Sequence, residues 1–198
     1  HQYYAELLDN LGQNSEARKH IDIALKIDPF RPVLHAVSSS CFYDDGRLEE
    51  SLKECYRLIE LDPEYYFGYP YWRMFYIYAR KSENVKAVEA LTKAMMRDSL
   101  NMKAIDKINE VYAKSGINGL WTWLIEIELE KSNPSPLKLA HRYSKTGKKD
   151  EAIYWLEKAY SNPPPEFPRF FNDPDFDILH SESGYKVIIE KMGLSRYH

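Results

Sequence analysis

Residues 11–29 read LGQNSEARKHIDIALKIDP, and the spacing inside this stretch decides the fold. Gly12, Ala17, Ala24 and Pro29 are answered 34 residues later by Gly46, Ser51, Leu58 and Pro63. A turn glycine, a small residue five places on and a closing proline describe the second half of a helical hairpin. Glycine takes the left-handed conformation that a tight helix–helix link needs. The small residue allows two helices to approach, and proline ends the second one because it lacks the amide donor and clashes with the preceding turn.

The same slots continue down the chain. The turn position is filled by Gly12, Gly46, Ser82, Gly116 and Gly147, and five residues later stand Ala17, Ser51, Ala87, Trp121 and Ala152. Four residues before each turn come Leu8, Phe42, Tyr78, Tyr112 and Tyr143, and nine residues after it Ile21, Cys55, Leu91, Ile125 and Leu156, large groups on one helical stripe. Pro29, Pro63 and Pro164 close second helices. The expected class is therefore all-α, with about five hairpins spanning 1–31, 32–65, 68–100, 101–132 and 134–161. Two extra residues before the third hairpin fall in PEYYFGYPYW, where Gly68 and Pro70 argue for a loop before a helix starting near Tyr71. The fourth unit is eroded: Trp121 replaces the small residue and Glu128 takes a slot held elsewhere by Ala24 or Ala94. From residue 162 the composition changes. A proline-rich stretch leads to a short apolar turn at Phe176 to Leu179 and an amphipathic helix from about Tyr185 to Met192, stopped by Gly193. In a stacked array such a segment covers the exposed end of the last hairpin.

A period of 34 residues with two helices per period is the signature of the tetratricopeptide repeat, which residues 1–161 resemble. That resemblance implies a right-handed α-α superhelix with a C-terminal capping segment over 162–198. A second resemblance covers roughly Gly116 to Leu194. GINGLWTWLIEIELE, SPLKLAHRYSKTGKKDEAIYWLEKAY and NDPDFDILHSESGYKVIIEKMGL, in that order, are similar to the C-terminal repeat region of modular bacterial signalling proteins. In that family such regions accompany winged-helix, nucleotide cyclase or Ser/Thr kinase domains, and the closing segment carries an acidic, Pro-Arg-Phe motif where this chain has Ser183, Gly184 and Tyr185. The resemblance implies a regulatory, protein-interaction region. Because His1 falls mid-pattern, the chain reads as a piece of a longer protein.

Composition excludes several classes. A net charge of −3 with no basic run argues against a nucleic-acid backbone as partner. No apolar run approaches the roughly 20 residues that span a bilayer. Cys41 and Cys55 match no zinc spacing and read as core thiols, giving a cytoplasmic expectation. The histidines His1, His20, His35, His141, His180 and His198 form no helical pair, Asp173, Asp175 and Asp177 lack the glycine and distal glutamate of a calcium loop, and Glu126, Glu128 and Glu130 read as a solvated face. No phosphate loop or nucleophile motif occurs, so neither an enzyme nor a cofactor is expected.

The remaining signal is a groove. First helices line the concave face of such an array, with outward slots ten, six, three and two residues before each turn. In the third hairpin these are Trp72, Tyr76, Ala79 and Arg80. With Tyr43 and Tyr69 they make an aromatic patch edged by Arg80, flanked on one side by charged groups including Glu110 and His141. Rigid aromatics and arginine dominate interaction hot spots. The expected partner is a protein or peptide segment, including other domains of the parent chain. Homodimerisation, a spacer role and plain inter-repeat packing are the competing uses of the same residues.

Overall fold

In the computed structural model residues 1–97, 102–164 and 167–194 are described. They are all-α: no strand occurs among them. The helices are α1 (Gln2–Asn10), α2 (Asn14–Ile27), α3 (Pro32–Asp44), α4 (Leu48–Leu61), α5 (Tyr69–Arg80), α6 (Asn84–Arg97), α7 (Met102–Leu129), α8 (Pro136–Lys145), α9 (Lys149–Ser161) and α10 (Ser183–Lys191), with 3-10 segments at Tyr65–Gly68, Phe167–Asn172 and Pro174–Leu179. No described helix is long and apolar enough to cross a membrane.

The turn residues behave alike. Gly12, Gly46 and Gly147 all have φ of 74°, Gly116 has 61°, and Ser82 reaches 59° without being glycine. At four of the turns the next amide donates to the carbonyl five residues earlier: Gln13 to Leu8 (2.9 Å), Arg47 to Phe42 (2.8 Å), Glu83 to Tyr78 (2.9 Å) and Lys148 to Tyr143 (3.0 Å). This is the long hydrogen bond of a Schellman stop, which satisfies an otherwise orphaned carbonyl while the left-handed residue reverses the chain. Gly116, with ψ of −156°, breaks α7 differently. The small slot is sealed throughout: Ala17, Ser51, Ala87 and Ala152 are fully buried, and Trp121 is buried in their stead.

Second helices also end alike. Asp28, Asp62 and Asn162 adopt nearly the same extended conformation, with φ of −140°, −149° and −145°. Each precedes a proline, whose ring drives the preceding residue out of the helical region. In the last case that proline is Pro163, one place before the expected Pro164. Helix α5 begins at Tyr69 rather than Tyr71. Left-handed Gly68 (φ 77°) caps it and Pro70 sits in its first turn, where the missing amide costs nothing.

Two compact units result. The first holds His1–Asp9 and Gln13–Ile117; the second holds Asn10–Gly12 and the residues from Asn118 onward. In the first, α3 packs on α4, α5 on α6, and α4 on α5. In the second, α8 packs on α9, and Ala140, Ala152, Leu156 and Ala159 share one core with Phe167, Phe176, Leu179, Tyr185, Ile188 and Ile189. Tyr185 is the buried aromatic anchor of the closing segment. Beside it, a Cβ on Gly184 would lie 2.7 Å from Ile153 Cγ2, so only glycine lets α10 come this close to α9.

Candidate functional site

Helix α5, YPYWRMFYIYAR, carries the densest aromatic run in the chain. Its core stripe of Tyr71, Met74, Phe75 and Tyr78 is buried, while Trp72, Tyr76 and Ala79 are half-buried and Arg80 is exposed. Of the four outward slots expected in the third hairpin, three are thus partly covered and one is open. Trp72 and Tyr76 stack with ring centroids 6.5 Å apart, and Phe75 braces both from below at 6.3 and 5.6 Å. This leaves a rigid shelf of two rings with a cationic edge.

Tyr43 and Tyr69 are placed differently from the expected open patch. Tyr43 is 1% exposed and belongs to the core. It is covered because Tyr69 and Arg73 of α5 reach across to α3. The Tyr69 hydroxyl lies 2.7 Å from Ser40 Oγ and donates to the Ala36 carbonyl at 3.3 Å. Arg73 donates to Ser40 Oγ and to the Tyr69 hydroxyl, and its guanidinium stacks 4.7 Å from the centre of the Tyr43 ring. Arg80 flanks the same ring at 5.5 Å and donates to the Tyr43 carbonyl at 3.4 Å. Tyr43 thus serves as a floor between two guanidinium groups rather than as a contact surface.

Arg73 is the residue that sequence reasoning missed. Its spacing to Arg80, two helical turns, was the available signal. Neither guanidinium has a carboxylate within 4.0 Å among the described residues; Asp44 acts on Arg73 only through space. Arg80, exposed and held by a neutral carbonyl and a ring face, keeps most of its donors for an incoming anion, while Arg73, enclosed between the Tyr43 and Tyr69 rings, adds its charge from behind.

The flanking residues named from sequence, Glu110 and His141, have partners of their own. Glu110 is exposed and pairs with Lys107 at 2.9 Å, three residues back on α7. His141, in the second unit, is half-buried and turned to the closing segment, with Nε2 2.9 Å from Asp175 Oδ2 and 3.8 Å from Asp173 Oδ2. Lys145 donates to the other Asp175 oxygen at 2.7 Å, and Ser144 donates to the Asp175 carbonyl. Burial works against the Asp175 charge, but His141 and Lys145 more than offset it and hold the carboxyl well below its usual range. Asp177 is exposed, so the three alternating aspartates do not act together.

Glu128 overturns its reading as part of a solvated face. It is 2% exposed and accepts from the Ser135 amide (2.9 Å), Lys131 (2.9 Å) and Arg142 (3.2 Å). Arg142 also donates to the Leu124 carbonyl at 2.6 Å. A glutamate in a slot elsewhere held by alanine points into the interior, where only such pairing makes its charge tolerable.

The two thiols of Cys41 and Cys55 are fully buried. Burial pushes the Cys55 thiol up to about 11 against the hydrogen bond from Ser39, which makes it a poor nucleophile at neutral pH. No protein-family model matches this sequence, and no curated protein sequence matches it.

Proposed function

We propose that this chain is a tetratricopeptide-type repeat module, closed by a C-terminal cap, that binds a segment of a protein partner on the outward face of α5 without catalysing a reaction. The repeat reading draws on five left-handed turn residues, four of them with the same long hydrogen bond, and on the sealed small-residue slot. The observation that carries the binding reading is the shelf itself: Trp72 and Tyr76 stacked and half-exposed beside Arg80, with Arg73 behind it, two cations with no carboxylate within 4.0 Å among the described residues. The complementary segment offers an apolar side chain to the rings and a carboxylate to the guanidinium groups. The resemblance of residues 116–194 supports reading the chain further as the interaction region of a larger bacterial signalling or transcriptional regulator, working in the cytoplasm on a partner protein or on its parent's other domains.

The test is selection from a displayed library of random peptides, followed by affinity measurement on Trp72→Ala/Tyr76→Ala. The reading expects acidic–apolar peptides that lose at least about tenfold affinity on the double variant, while its thermal melt stays near that of the parent. Peptides that bind both proteins equally would sink it.

A second reading, a homodimerisation arm, has one observation of its own. Tyr3 and Leu7 on α1 and Ile23 and Ile27 on α2 are exposed apolar residues at helical spacing. Light scattering over a concentration series decides it, because a monomer at high concentration removes the arm.

A further inference from the structure

His141, Asp173 and Asp175 come from separate parts of the second unit, α8 and the segment that follows α9, and their donor atoms all lie within 4.8 Å of one another. The sequence hides the group, since the histidine is 32 residues from the nearer aspartate and no spacing rule covers such a gap. Its dimensions are those of a first coordination shell. Zinc bonds of about 2.0–2.2 Å in tetrahedral array put neighbouring ligand atoms about 3.3 Å apart. From His141 Nε2 the two carboxylate oxygens stand at 2.9 and 3.8 Å, on either side of that value. The remaining edge, between the Asp173 and Asp175 carboxylates, lies within 4.8 Å, so movements of up to about an ångström would seat an ion between the three.

The surroundings suit a metal as well. Asp173 uses Oδ1 to accept the Asp175 amide at 2.9 Å, which aims Oδ2 toward the imidazole. Lys145 holds Asp175 Oδ1 and leaves Oδ2 toward His141, the arrangement in which an outer group orients a ligating carboxylate. The Trp121 and Phe176 rings meet the imidazole edge-on, with centroids 6.4 and 5.7 Å away, and give the site apolar walls. With a neutral imidazole, the form that binds metals, the two carboxylates supply the negative charge that a cation needs. One nitrogen and two oxygens suit a first-row divalent ion better than calcium or magnesium, which prefer all-oxygen shells.

We propose that His141, Asp173 and Asp175 bind a single zinc ion that fastens the Asp173–Asp177 segment to α8. The ion takes the place of the direct imidazole–carboxylate hydrogen bond, and a water completes the fourth position. Because the ligands straddle two segments, binding stabilises the folded state by mass action.

The test is zinc titration of the full chain by calorimetry and by thermal melting. The whole series carries His20→Ala, since His1 Nδ1 and His20 Nδ1 lie 2.8 Å apart at the surface and could also take up zinc. The expected result is one zinc per chain and a rise in melting temperature of about 5–10 °C at a hundredfold excess over Kd, reversed by a chelator. Asp173→Asn keeps the oxygen that accepts the Asp175 amide but loses the charge, and His141→Gln keeps a donor toward Asp175 but loses the ring nitrogen. Each should weaken zinc binding at least about tenfold, an effect read by calorimetry at 20 °C on folded protein so that a lower metal-free melt does not obscure it. Absence of zinc uptake, or uptake that is the same in both variants, would overturn the proposal.

Discussion

Two charged clusters, one in each unit, are treated in opposite ways. In the second, Glu128 meets Arg142, Lys131 and the Ser135 amide, and Asp175 meets His141 and Lys145, so each buried charge has partners from its own chain. In the first, Arg73 and Arg80 rest on the Tyr43 ring and on neutral oxygens, with no carboxylate within 4.0 Å among the described residues. Burying an ion is expensive unless it is paired, so the matched set holds structure together. An unmatched set beside exposed aromatics is what a surface needs when its counter-charge arrives on a partner. Under the proposed function, the contrast separates residues that keep the fold from residues that would meet a partner.

Breaking the matched side should give the largest effect. Glu128→Ala strands Arg142 in the interior and should cost about 3–5 kcal/mol in urea unfolding, whereas Glu128→Leu/Arg142→Leu should cost much less because no charge is left unpaired. A double variant as damaging as the single would mean that packing, not charge, governs this site. Next comes the unmatched side. Trp72→Ala/Tyr76→Ala should remove at least about tenfold in peptide affinity while changing stability by about 1 kcal/mol or less, since both rings are only half-buried. A collapse of the melt would instead class the rings with the core.

Smaller effects sharpen the frame on which both sides are mounted. Gly46→Ala puts a side chain at φ 74°, with open space around it, so its cost of about 1 kcal/mol is purely conformational. Ser82 already bears that strain at φ 59°, and Ser82→Gly should be neutral or slightly stabilising by the same unfolding measurement. The smallest effect is electrostatic and local to α3–α4. His35 bonds Glu54 at 2.6 Å and the Pro29 carbonyl at 2.9 Å, and the Glu54 bond raises the imidazole above its ordinary value despite burial. The folded state therefore binds the proton more tightly than the unfolded chain. That contribution is complete below the unfolded value near 6.5 and is lost as pH rises through the elevated folded value. Stability measured from pH 5.5 to 8.5 should fall in the parent and flatten in His35→Gln.

What was legible in the sequence follows from which interactions are local. The turn residue, the small slot five places on and the large group nine places on lie within one hairpin, so a fixed period exposes them, and Gly12, Ala17 and Ile21 take the conformation and burial that their spacing implies. On α5 the expected outward slots are not fully buried, with Trp72, Tyr76 and Ala79 partly covered and Arg80 exposed. The misplacements came from side chains that reach between helices. Tyr43 occupies an outward slot, yet Tyr69 and Arg73 from the next hairpin fold over it. Glu128 alternates with Glu126 and Glu130 in a pattern that looks solvated, and its burial depends on Arg142, 14 residues on. His141 was read as facing a partner, although Asp175, 34 residues away, takes it inward. Long polar side chains can bridge such distances in many ways, and the residue spacing alone does not select one.

The central claim, that the exposed Arg80, backed by Arg73, takes a carboxylate from outside the chain, is tested most directly by one titration. Fluorescence anisotropy would follow a library-selected acidic peptide binding to the parent and to Arg80→Gln at two salt concentrations. The account predicts about tenfold weaker binding by Arg80→Gln at low salt and a gap between the two proteins that narrows at high salt, as expected when an exposed ion pair has been removed. Equal affinities at both salt concentrations would contradict it.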